Sequence, residues 1–148
     1  MSAHVFLLKF QNHPKFHFQC VSQLARTFLP GMIERKRGKI VSICSMIGMN
    51  TIPSAVVYAA TKFGVRGFMS ALHDELCVND YEKFIHLTTV YPDFMNTRKD
   101  LIDVLEKVKH MILLLSPAEV AERAVRGVLR RKRNVYVSDH LLTHFAIQ

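Results

Sequence analysis

From Phe16 to Arg37 the apolar positions Cys20, Leu24, Phe28 and Met32 recur at helical spacing. Pro30-Gly31 interrupts this stretch and predicts a kink or an early end. Gly38 is the expected stop. Lys39 to Cys44 follows as a short, nearly continuous apolar run, the pattern of a parallel strand covered on both faces. Gly48, Asn50 and Pro53 mark a loop, and Ser54 is the expected N-cap of a long helix over residues 55–78. Phe84 to Val90, rich in β-branched residues, predicts a second strand that Pro92 closes. Residues 96–110 read as helix. Ser116-Pro117 with Glu119 opens another, Ser as N-cap and Pro at the first helical position, running to about Lys132. Val135 to Val137 is a third short strand. Helix, strand, helix, strand, helix, strand predicts an α/β domain with a parallel sheet. Residues 1–15 show no period and receive no role.

Composition narrows the picture. The chain has 148 residues, 49% hydrophobic and 22% charged, which suits one globular domain and argues against disorder. The net charge of +8 lies largely in Arg35-Lys36-Arg37 and Arg130 to Arg133, each at the end of a predicted helix, where cations complement the dipole. No aromatic residues interleave with these runs and no nucleic-acid motif occurs, so no nucleic-acid partner is expected. Three widely spaced cysteines are neither a disulfide framework nor a zinc site, and the histidines lack metal-ligand spacing. No apolar run is long enough to span a membrane, and Val5 to Leu8 is too short for a secretory signal.

Three residues carry candidate chemistry. Tyr58 and Lys62, four apart, share one face of the long helix. Ser45 lies just past the carboxyl end of the first predicted strand, where open parallel sheets place their sites. A nearby ammonium lowers a phenol's pKa, so Lys62 is expected to tune Tyr58 for proton transfer. A serine hydroxyl can donate to a carbonyl or alkoxide oxygen. Tyr58 is thus the candidate acid/base, Lys62 its electrostatic tuner and Ser45 the group that binds the substrate oxygen. The plainer alternative is a surface lysine beside a half-buried tyrosine.

Ser45-Met46-Ile47-Gly48 and Tyr58-Ala59-Ala60-Thr61-Lys62-Phe63-Gly64-Val65 resemble the active-site stretch of the short-chain dehydrogenase/reductase family. The serine stands thirteen positions before the tyrosine and the lysine four after it, as in that family. The resemblance covers roughly residues 16–97. Ala25 to Pro30, Lys62 to Phe68 and Tyr91-Pro92 are similar to the retinol dehydrogenase and 17β-hydroxysteroid dehydrogenase group. It implies a partial Rossmann-like sheet of about three parallel strands flanked by helices, with residues 16–148 as the catalytic half. The amino-terminal βαβ half has no counterpart in this sequence.

The resemblance further implies NAD or NADP as cofactor and a hydrophobic alcohol or ketone, retinoid- or steroid-like, as substrate. Lys62 would also bond the nicotinamide ribose. Pro92 would open the loop over the nicotinamide, and Thr97 would contact the cofactor. Residues 18–34 and 55–78 would form a homo- or heterodimer contact. The group's location implies the cytoplasmic face of the endoplasmic reticulum or a lipid droplet, or the cytoplasm if the chain is complete as given. The alternative function is a non-catalytic chain that dimerises with a full-length relative.

The sequence departs from the family's pattern at several points. None of the six glycines (31, 38, 48, 64, 67 and 127) forms a glycine-rich turn between a strand and a helix, so dinucleotide affinity is expected to be weak and this chain alone inactive. His17 falls where the family has asparagine, and Asp93 where it has glycine after the proline. Met46 and Met49 read as core residues or as the lining of a hydrophobic pocket. Without a strand beside it, the apolar run 39–44 would be an exposed edge.

Overall fold

In the computed structural model of the chain, residues 5–8, 17–52, 55–97 and 114–138 are described. Four strands form one parallel sheet in the order β1 (Val5–Leu8), β2 (Gly38–Ile43), β3 (Ile85–Pro92), β4 (Asn134–Val137). Between them lie helices α1 (His17–Glu34), α2 (Val56–Val78) and α3 (Pro117–Leu129). All three expected strands are present. The fourth, β1, is a correction: it pairs with β2 from Val5↔Lys39 to Leu8↔Ser42, so β2 is not an edge. Four residues are too few to show a period, and only pairing reveals them as a strand.

Side chains alternate across the sheet and separate two cores. Ile40, Ile85, Leu87 and Tyr91 face α1 and α2, meeting Val21, Ala25, Met32, Val65, Met69 and Leu76. Val41, Val90, Val135 and Val137 face the other way, onto Val120, Ala124 and Val128 of α3. Both faces of β2 and β3 are thus covered, which explains why their sequences run apolar rather than alternate.

Helix α1 differs in detail from the sequence expectation. Its buried stripe is Val21, Ala25 and Met32, whereas Phe28 stays 36% exposed. Pro30 does not end it. The turn beyond Pro30 is retained because it carries Met32 into the core, at 1% exposure. The stop comes at Lys36, in the left-handed region at φ 48°, with Arg37 N–H donating to the Met32 carbonyl and Lys36 N–H to that of Ile33. Gly38 serves packing instead: a Cβ there would stand 2.5 Å from Met32 Sδ.

Ser116 caps α3 as expected, its Oγ accepting from Glu119 N–H at 3.2 Å, with Pro117 in the first turn. The cap position of α2 is Ala55, which makes no side-chain bond. Ser54, the expected cap, lies outside the described residues, as do residues 98–110 of the expected helix 96–110. Asn96 and Thr97 form a turn. No helix among the described residues is long and apolar enough to cross a membrane.

Two glycines separate packing from propensity. A Cβ on Gly127 would drive into the Val135 side chain, whereas one on Gly67 would meet nothing within 4 Å. Gly127→Val is therefore expected to cost about 1–3 kcal/mol by overpacking. Gly67→Ala should add up to about 1 kcal/mol through helix propensity. Urea unfolding midpoints check both signs.

Candidate active site

The candidate residues converge where the carboxyl end of β2 meets the first turns of α2. The β2 ladder continues one residue past the strand, Cys44 N–H donating to the Val90 carbonyl at 2.7 Å. Ser45 follows in extended conformation and caps a 3-10 turn, Met46–Gly48, its Oγ accepting from Ile47 N–H at 3.2 Å. That bond occupies one lone pair and leaves the hydroxyl hydrogen to donate elsewhere. Gly48 lets the turn lie against α2, since a Cβ there would stand 2.7 Å from Cys44 Sγ and 3.0 Å from the Lys62 carbonyl oxygen.

Lys62, one turn along α2 from Tyr58, is 5% exposed. Its Nζ donates to the Ile43 carbonyl at 3.2 Å and stands 5.5 Å from the centroid of the Tyr58 ring. The cation–ring contact contributes roughly 0.5–2 kcal/mol. Burial lowers the Lys62 pKa, because a desolvated ammonium is disfavoured.

Tyr58 behaves differently from the sequence expectation. Burial of its phenol raises the pKa, although the residue as a whole is 41% exposed. The group that pulls it down is Ser45, through a side-chain hydrogen bond. Lys62 does not bring the phenol below its ordinary range here: its charge is directed at the Ile43 carbonyl and lies over the ring. Tyr91, the neighbouring phenol, is buried against Tyr136 with ring centroids 5.2 Å apart, and burial pushes it up to about 12. It is no rival acid or base near neutral pH.

Ser45, Tyr58 and Lys62 are thus brought together. Pro92 ends the adjacent strand at the same edge of the sheet, paired with Val137. Thr97 is exposed in the turn beyond, its N–H donating to the Met95 carbonyl at 2.9 Å. Asp93, the departure from glycine, ties strand ends together: its carboxylate accepts from Phe94 N–H at 2.9 Å and from the Ser138 hydroxyl at 2.7 Å. Met46 is buried in the core under α1 and α2, and Met49 packs against it. His17 opens α1, but its side chain lies outside the described residues. Sequence reasoning missed Cys44 and the close-approach role of Gly48. A lone cysteine ending an apolar strand and a single loop glycine give no signal without the helix that packs on them.

The short chain dehydrogenase family model matches residues 8–101. Dehydrogenase/reductase SDR family member 7B of Rattus norvegicus is 32% identical over 127 residues, which cover 81% of this chain and 38% of that protein. Estradiol 17-beta-dehydrogenase 11 of Mus musculus is 30% identical over 116 residues, covering 78% and 37%. The chain therefore spans well under half the length of these relatives. Among solved structures, a short chain dehydrogenase from Burkholderia cenocepacia in complex with NADP superposes with a TM-score of 0.70 at 15% identity, covering 91% of this chain and 51% of that one. One from Burkholderia phymatum in complex with NAD gives 0.66 at 19%, covering 88% and 52%. The parallel sheet with helices on both faces is the fold they share. With its fold, its family-model match and these relatives in agreement, this chain belongs to the short-chain dehydrogenase/reductase family.

Proposed function

We propose that the chain carries the catalytic half of an NAD(P)-dependent oxidoreductase that interconverts a hydrophobic alcohol, retinoid- or steroid-like, and its carbonyl. The observation that carries this reading is the convergence of a serine hydroxyl, a phenol and a buried ammonium at the carboxyl end of a parallel sheet. The steroid-like class rests on the relatives' names, and the retinoid-like class on resemblance. A location on the endoplasmic reticulum or lipid droplets rests on resemblance alone.

In this reading Tyr58 donates its proton to the carbonyl oxygen during reduction and recovers it during oxidation. A phenol at its ordinary 10.0 is already protonated at neutral pH, the form that reduction needs, and burial shifts Tyr58 further that way. The Ser45 hydroxyl, aligned by the Ile47 N–H, donates to the same oxygen. Lys62 has three N–H donors, of which one is bound to Ile43. The others suit a ribose hydroxyl, and Pro92 and Thr97 would complete the contacts on the nicotinamide side. The nicotinamide group supplies or accepts the hydride. These donors fit the ribose end of the cofactor. The described residues offer no comparable cradle for its pyrophosphate: no glycine has positive φ, and none builds a strand-to-helix phosphate turn. Binding of NADH or NADPH by this chain alone should therefore be weak.

A second reading has its own observation. Phe18 and Phe63 on α1 and α2 remain 46% and 39% exposed, and Val78 is 86% exposed. Large apolar side chains left in water favour a partner helix pair, so residues 18–34 and 55–78 would join two copies or a longer relative.

In a version extended at the amino terminus to hold the cofactor, Tyr58→Phe should reduce carbonyl turnover at least 100-fold, the scale of a lost general acid; undiminished activity would remove Tyr58 from its role. Tyrosine 13Cζ NMR should place the Tyr58 titration above the ordinary 10.0. Ser45→Ala should move it further up, because the bond that stabilises the phenolate is lost. Light scattering should show a dimer that Phe63→Asp splits.

A further inference from the structure

Lys62 is held at two points by consecutive residues of one strand end. Its Nζ donates to the Ile43 carbonyl, and its own backbone carbonyl accepts from the Cys44 thiol at 3.3 Å. A helical carbonyl has a second lone pair beyond the one used by its i+4 partner, so the thiol adds a bond without breaking one. Gly48 closes the third side of the same joint, near both Cys44 Sγ and the Lys62 carbonyl. Cys44 itself is 2% exposed.

Resting on the proposed reading of the site, we propose that Cys44 is a positioning residue whose thiol, by donating to the Lys62 carbonyl, sets the register of α2 against β2 and so aligns Lys62 and Tyr58 with Ser45. Only a protonated thiol can do this, and burial raises the Cys44 pKa. Bonding to Ser45 and the charges of Lys62 and Arg66 on α2 pull the other way and do not prevail. The other titratable groups electrostatically coupled to Cys44 are Tyr58 on α2 and Tyr91 on β3. A thiolate would instead face the Lys62 carbonyl oxygen and repel it. The sulfur thus acts as a neutral pin between strand end and helix.

The test follows the Lys62 amine by 13Cε NMR in the full chain, which needs neither cofactor nor turnover. In the wild type Lys62 is expected to titrate below 10.5, because burial disfavours its ammonium form. Cys44→Ser keeps a donor; like Cys44→Ala it removes the thiol charge that raises the Lys62 pKa, so the two variants are compared with each other. Cys44→Ala loses the donor, and its Lys62 should titrate above that of Cys44→Ser, nearer the ordinary value. If the Ser and Ala titrations coincide, the pin is not a hydrogen bond and the proposal falls. A general loss of packing would lower the melting midpoint in both variants without separating their Lys62 titrations. Should Cys44→Ala not fold, the infrared S–H stretch of the Cys20→Ser, Cys77→Ser protein decides: a frequency lowered by hydrogen bonding supports the pin, and a free-thiol frequency overturns it. Should Tyr58→Phe leave turnover intact while these results hold, the functional reading fails and the joint stands.

Discussion

A buried ammonium governs this structure. Removing Lys62 from water costs several kcal/mol unless its charge finds partners. It finds the carbonyl of Ile43, the last residue of β2, and the face of Tyr58. Both partners are local, so the constraint acts on placement: α2 must sit with its second turn over the carboxyl end of β2. With that contact made, Tyr58 comes to the mouth of the sheet and meets Ser45 on the loop below.

The sheet divides the molecule functionally along its strands. At the carboxyl ends lie the hydroxyl, phenol and ammonium. At the amino ends lie the basic turns after α1 and α3, built alike: Lys36 and Arg131 both take left-handed φ, 48° and 56°. Their neighbours bond back to Met32 and Gly127 in the same way. Desolvation, then the charges of Arg131 and Lys39, keep the His86 pKa low between these turns. The basic runs 35–37 and 130–133 therefore lie at the opposite end of the sheet from the candidate site.

The departures from the family's pattern weigh differently against this frame. Asp93 bonds the ends of β3 and β4, so a carboxylate in place of glycine serves as a brace. The missing glycine-rich turn has no such substitute among the described residues.

What the sequence determined by itself was the local grammar. Branched apolar runs named β2, β3 and β4, because strands covered on two faces need that composition. Ser116-Pro117 marked the start of α3, because capping is satisfied within four residues. The spacing of Tyr58 and Lys62 put them on one helix face by geometry alone. The tertiary structure decided the rest. Whether Val5 to Leu8 is a strand depends on β2 lying beside it. Whether Tyr58 rises or falls in pKa depends on how far burial outweighs the Ser45 bond, and on where the Lys62 charge is spent. The parts played by Cys44 and Gly48 exist only once helix and strand end meet, since contacts across 18 residues of chain leave no periodic trace.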